Sequence, residues 1–183
     1  MKEARRAYPE FSLCGLNCGL CPMYHISEES HCTGCGGEGR PSCAILRCSE
    51  QHGEVAFCSL CAEYPCSRYR EDDPYDSFLT KRNVRRDLEL LRDEGLASYQ
   101  VMLDEKIALL KFLLANYNDG RRKTFFCTAV NLLPLADCQE VAAQLAAADT
   151  PELTLKEKGA LAASLFQAKA NERQLSLKLN KKK

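Results

Sequence analysis

The pattern of hydrophobic and polar positions divides this chain into two textures that change near residue 72. Beyond that point apolar residues recur at helical spacing. Tyr75, Phe78, Leu79, Val84, Leu88 and Leu91 predict a first helix, opened by Asp73-Pro74 and stopped by Gly95. Tyr99, Leu103, Ile107, Leu110, Leu114 and Tyr117 form one stripe of a second helix. Met102, Leu109 and Leu113 widen that stripe, which marks this helix as the central one. Asn118-Asp119-Gly120 ends it as a turn. A short helix is expected over Thr124 to Leu133, stopped by Pro134. Asp137 with Glu140 then reads as a capping box for a helix to Ala147, and Thr154 with Glu157 as another for a last helix to about Arg173.

Residues 12–70 carry no sustained period. They are rich in Cys, Gly and turn formers, and poor in large apolar side chains. Such a segment cannot stabilise itself by burial alone and needs a metal or disulfide staple. The expected fold class is therefore α plus irregular: a cysteine-rich, metal-stabilised, zinc-finger-like segment with little regular structure, then an all-α part of about five helices. The expected division is 1–72 for the cysteine-rich segment, 73–175 for the helical domain, and 176–183 for a basic flexible tail.

The 183 residues balance 25 Lys and Arg against 25 Asp and Glu. Residues 1–70 are also close to neutral, with seven basic and eight acidic side chains. This argues against a nucleic-acid binder, which would concentrate positive charge on one domain. Basic spots at Lys81-Arg82, Arg85-Arg86, Arg121-Arg122-Lys123 and Lys181-Lys182-Lys183 read as solvated faces. The first residues have no apolar h-region and no apolar run reaches the length of a membrane span. The expectation is a cytoplasmic protein without membrane contact, in which thiols stay reduced.

In that setting the cysteines change the picture. Ten of the twelve fall at Cys14, Cys18, Cys21, Cys32, Cys35, Cys43, Cys48, Cys58, Cys61 and Cys66, with Cys18/Cys21, Cys32/Cys35 and Cys58/Cys61 spaced Cys-x-x-Cys. Clustered cysteines of this kind in a reducing compartment read as metal ligands or redox groups. Structural zinc takes four Cys or His ligands, usually as two short-spaced pairs. Cys18/Cys21 with Cys32/Cys35 fits that template, and Cys43/Cys48 with Cys58/Cys61 fits it more loosely, leaving Cys14 and Cys66; interleaved assignments are equally allowed. Ten thiols exceed two tetrahedral ions by two, and with two of His25, His31 and His52 they would suit three, so two or three Zn2+ ions are expected. Iron is the competing metal, because Cys14-x3-Cys18-x2-Cys21 has radical-SAM spacing, but no βα repeat follows it. Cys127 and Cys138 lie on helical patterns and read as inert buried thiols.

The string Cys14-Gly15-Leu16-Asn17-Cys18-Gly19-Leu20-Cys21-Pro22-Met23-Tyr24 closely resembles a prokaryotic family, the Domain of Unknown Function 3795 proteins. Cys32-Thr33-Gly34-Cys35, Cys43 to Cys48, and Cys58-Ser59-Leu60-Cys61-Ala62-Glu63-Tyr64-Pro65-Cys66 carry the same resemblance, which covers roughly residues 12–70. The stretch Gly120 to Cys127 is similar to the C-terminal extension of a subgroup. The resemblance implies zinc and a bacterial or archaeal cytoplasm. It brings no established activity and no catalytic residues.

The expected function is a structural-zinc interaction module whose partner is a protein or small ligand rather than nucleic acid. Four thiolates on one ion leave no open position for water, as a structural site requires. The alternatives are a metal-dependent enzyme with an open zinc site, and an iron–sulfur or thiol-based redox or metal-handling protein. Glu28, Glu29, Glu50, Glu54 and Glu63 lie near the cysteines, but no spacing singles one out as a base. Arg121, Arg122 and Lys123, beside Phe125 and Phe126, are candidates for an anion site at a helix start.

Overall fold

The computed structural model describes residues 6–69, 75–148 and 151–182. Within them the chain forms six α-helices and no strand: α1 (Ala44–Gln51), α2 (Val84–Glu94), α3 (Leu96–Asn116), α4 (Lys123–Leu132), α5 (Leu135–Ala147) and α6 (Leu155–Glu172). The cysteine-rich segment adds three single turns of 3-10 helix, at Cys18–Leu20, Cys58–Leu60 and Ser67–Tyr69. None of the helices is long and apolar enough to cross a membrane.

The 21-residue α3 is central, as its wide apolar stripe predicts, and packs against α2, α4, α5 and α6 as well as the Cys18–Leu20 turn. Gly95 separates it from α2 with φ +89°, a conformation that favours glycine, and donates its N–H to Leu91 O to close α2. Leu88, Leu103, Leu110, Phe126, Val130 and Phe166 fill the core between helices. Phe11, Leu20 and Phe57 belong to that same core, with the Phe11 ring stacked between Phe57 at 4.8 Å and Tyr99 at 4.3 Å. The two segments that differ so much in composition thus share one interior.

A buried polar network joins them as well. Asn17, in the loop between Cys14 and Cys18, donates from Nδ2 to Asp87 Oδ2 at 2.8 Å and to Asn131 Oδ1 at 2.9 Å, and its Oδ1 accepts from Tyr99 Oη at 2.8 Å. Asn83 Nδ2 donates to Asp87 Oδ2 at 2.6 Å, and Asn131 Nδ2 donates to Asn83 Oδ1 at 3.0 Å. Every member is buried and bonded, the condition under which polar groups in a core fix one arrangement. Beside it, the buried Lys106 donates from Nζ to Leu133 O at 2.7 Å, satisfying a carbonyl at the end of α4, while burial pushes its pKa down.

Four expectations change. Asp73 and Pro74 lie outside the described residues, but Tyr75, Phe78 and Leu79 precede the helix they were expected to join, since α2 starts only at Val84. Asn83 stands at its N-cap position without capping, because its side chain belongs to the network. The Asp137/Glu140 capping box is absent: α5 begins at Leu135 behind Pro134, and Asp137, in the first turn, accepts both of its bonds from Arg173. Residues 176–182 are not a loose tail. Asp76 and Asn180 pair through backbone and side chain, Arg82 donates to Ser176 O and Lys178 O, and Leu177 is buried. Finally, α1 is a helix inside the cysteine-rich segment, where no period announces one.

Candidate metal centre

The cysteines are held by turns and one short helix. Cys18-Gly19-Leu20-Cys21 and Cys58-Ser59-Leu60-Cys61 fold alike: each opens a 3-10 turn, and the second cysteine donates its N–H back to the carbonyl of the first at 3.0 Å. The last residue of each turn also shares its backbone conformation, φ −80° ψ 137° at Cys21 and φ −77° ψ 137° at Cys61. Tyr24 and Tyr64 complete the likeness, donating to Cys21 O and Cys61 O. The pattern Cys-x-Leu-Cys-x-x-Tyr therefore occurs twice as one structural unit, a signal present in the sequence.

Each unit is wedged against the rest of the protein. Gly19 N–H donates to Glu10 O at 2.8 Å, and a methyl group on Gly19 would lie 2.5 Å from Ile107 Cδ1 of α3. Cys58 N–H donates to Leu13 O at 2.9 Å. Lys123, at the start of α4, reaches across to His25 O at 2.8 Å.

The thiols fall into two neighbourhoods. The charge of Cys14 is sensed by Cys35 and Cys43, that of Cys18 by Cys35, Cys14 and Cys21, and that of Cys21 by Cys32. Cys48, Cys58, Cys61 and Cys66 line a cavity of about 30 Å3, with Tyr64 and His52 beside them, and Cys58 also feels the charge of Cys14, so the two groups adjoin. Cys43 and Cys48 part company because α1 lies between them: Cys43 caps its start, accepting from Leu46 N–H through Sγ at 3.4 Å, and five residues of helix turn Cys48 about 140° away.

Burial dominates the acid–base behaviour of Cys14, Cys18, Cys21 and Cys58. It pushes the Cys18 thiol up to about 12, against a bond from Ser12 Oγ that favours the thiolate, and the Cys58 thiol up to about 11, against a bond from Tyr69. Cys14 and Cys21 shift upward for the same first cause. Without a cation these thiols stay protonated at neutral pH, which removes them as free nucleophiles and leaves a cation as the agent that would ionise them. Cys127 and Cys138 are buried in the helical core and raised by burial to about 12 and 11.

His25 and His31 are engaged elsewhere, whereas His52 lies against Cys48, its Nδ1 3.6 Å from Sγ. His25 Nε2 pairs with Gly19 O at 2.7 Å and burial lowers its pKa; His31 Nδ1 pairs with Ser27 O at 3.1 Å. His52 Nδ1 pairs with Cys48 O at 2.8 Å, and its Nε2 faces Glu63 at 3.3 Å. Arg122 and Lys123 of the basic stretch at α4 are likewise spent inside the molecule. Arg122 pairs with Asp119, and Asp119 also accepts from the Arg121 N–H.

As the side chains stand, no three His, Cys, Asp or Glu groups among the described residues are gathered into a set that could hold a metal ion. The donor chemistry of the cavity nevertheless fits zinc. Cys48, Cys58, Cys61 and Cys66 are among the residues that line it, and it has room for one water-sized occupant, for which roughly 10–15 Å3 suffices. Tyr64, which lines it, has a buried Oη with no hydrogen-bond partner among the described residues. A metal-bound thiolate is the kind of acceptor such an orphan donor needs.

Fold and site together define a helical protein carrying a cysteine-rich segment seated on its core. Comparison with protein-family models, with curated proteins and with solved structures finds no match to this chain.

Proposed function

We propose that this chain is a zinc-binding protein in which metal ions fix the cysteine-rich segment as a recognition surface mounted on the helices, and that it is a binding module rather than an enzyme. The observation that carries the reading is the pairing of ten thiols with a segment almost devoid of regular structure, four of them lining one small cavity. Thiolates in fours saturate zinc and leave it no position for a reacting water. The resemblance to the Domain of Unknown Function 3795 proteins supports the same reading, and a cytoplasmic location goes with it. A protein or small ligand is the partner that the near-neutral cysteine-rich segment favours.

The test is elemental analysis of the purified full-length chain, followed by chelation. Zinc at two or three ions per chain is expected, with loss of dispersed amide signals from residues 12–69 when a strong chelator removes it. Iron with visible absorption in place of zinc would instead make it an iron–sulfur protein. Unchanged amide signals after complete removal would sink the structural role.

A further inference from the structure

The sequence allows many ways of sharing ten thiols among ions, and pairing by proximity along the chain joins Cys43 with Cys48. The fold separates those two. Cys43 stands at the N-terminus of α1 with its Sγ accepting from the Leu46 N–H, and its charge is felt by Cys14. Cys48 lies on another face of α1 and lines the cavity together with Cys58, Cys61 and Cys66. Cys66, which the sequence leaves over as the outermost thiol, is brought in by the chain that returns after Tyr64.

We propose that Cys48, Cys58, Cys61 and Cys66 are the four ligands of a single zinc ion, a closed site that adjoins the six thiols Cys14, Cys18, Cys21, Cys32, Cys35 and Cys43 without sharing a ligand with them. The inference rests on the zinc reading above and deepens it by fixing the ligands. Three features besides the cavity support it. Cys58 and Cys61 sit on the same tight turn as Cys18 and Cys21, so each turn offers a matched pair of thiols as a half-site. Tyr64 carries an orphan buried hydroxyl at the cavity, and Tyr69, also in its wall, donates from Oη to Cys14 O at 3.2 Å. Donors of this kind around metal-bound thiolates orient the ligands and hold their charge. His52 is left outside the ligand set: its Nδ1 lies 2.8 Å from Cys48 O and 3.6 Å from Cys48 Sγ, and its Nε2 faces Glu63. It supports the turn that carries Cys48 instead of the ion. The six remaining thiols then exceed one tetrahedral ion by two, and the surplus lies in their neighbourhood, not at Cys66.

The full-length protein tests this by its metal count and by the pattern of protected thiols. Apo protein is titrated with zinc and alkylated, and each cysteine's labelling is read by mass spectrometry. Cys48, Cys58, Cys61 and Cys66 are expected to become protected together. In parallel, C61S and C66S are each expected to lose one zinc ion relative to the unmodified chain, whereas H52A and C43S keep the ion at the cavity. Protection of Cys43 with Cys48, or of Cys58 and Cys61 without Cys66, overturns the assignment, as does loss of the cavity's ion in H52A. The labelling uses the unmodified chain, so it decides the matter even if a serine variant fails to fold. An unmodified chain that binds no zinc at all brings down the zinc reading itself, an outcome distinct from zinc bound by a different set of thiols.

Discussion

Asn17 sits between two thiols, yet its side chain belongs to the helices. It supplies two donors and one acceptor to a cluster of buried Asp87, Asn131 and Tyr99. Replacing it by Ala leaves those partners orphaned in the core, at about 1–3 kcal/mol for each unsatisfied group. N17A is therefore expected to lower the urea midpoint substantially, and Asn17→Asp to do the same by setting a second carboxylate against Asp87. A midpoint equal to that of the unmodified chain would show the network to be dispensable. Asp137 governs pH dependence at the same scale. Arg173 donates to both its oxygens at 2.8 Å and holds its carboxyl below the usual range. Folding thus favours the ionised form. The pair's contribution is complete above the ordinary carboxylate value of about 4 and is lost as pH falls through the lower folded value. D137N should remove that part of the acid slope when urea midpoints are compared with the unmodified chain from neutral pH downward. Equal slopes would exclude the pair as a source, and the comparison cancels any loss of metal common to both proteins.

At the scale of elements, two identical-looking signals had different fates. Thr154-x-x-Glu157 is a capping box in both sequence and structure: Thr154 Oγ1 accepts from Glu157 N–H at 3.3 Å, and Glu157 Oε2 accepts from Thr154 N–H at 2.9 Å. T154A should cost about 1 kcal/mol in urea denaturation, and T154S nearly nothing. Asp137-x-x-Glu140 has the same spacing but no box, because Arg173 lies 36 residues away in sequence and takes the aspartate. Local patterns reveal helices whose ends are decided locally. They miss ends decided by distant partners, as with Asn83 before α2. Helix α1 escaped for another reason: its cap is a sulfur, outside the usual set of capping residues, and its eight residues are too few for a period to show. The central helix α3 was legible because its stripe is long. That Lys106 shares its buried face was not, since the carbonyl it serves belongs to α4.

For the whole molecule, composition changes near residue 72 while the interior does not. Phe11 stacks on Tyr99, and Phe57 and Leu20 join the core of the helices. The fold class could be read from periodicity. The shared core could not, because nothing in the spacing of Phe11 or Phe57 names a partner forty or ninety residues away. The same limit applies to the thiols: their clustering along the chain was legible, whereas the meeting of Cys48, Cys58, Cys61 and Cys66 at one cavity depends on the turn of α1 and the return of the chain after Tyr64. One interior implies one transition. The metal-loaded protein should lose its far-ultraviolet helical signal and its near-ultraviolet tyrosine signal at the same temperature. Two separate melts would show that the segments fold independently.

The reach of Asn17 also sets an order of events during synthesis. Its partners Asp87 and Asn131 lie 70 and 114 residues further along the chain. At roughly 5–20 residues per second, Asn131 leaves the ribosome about 6–23 s after Asn17. The thiol loops are thus made first and seated last. Whatever they bind has to be captured by a nascent, open chain, or wait for a finished one to admit it.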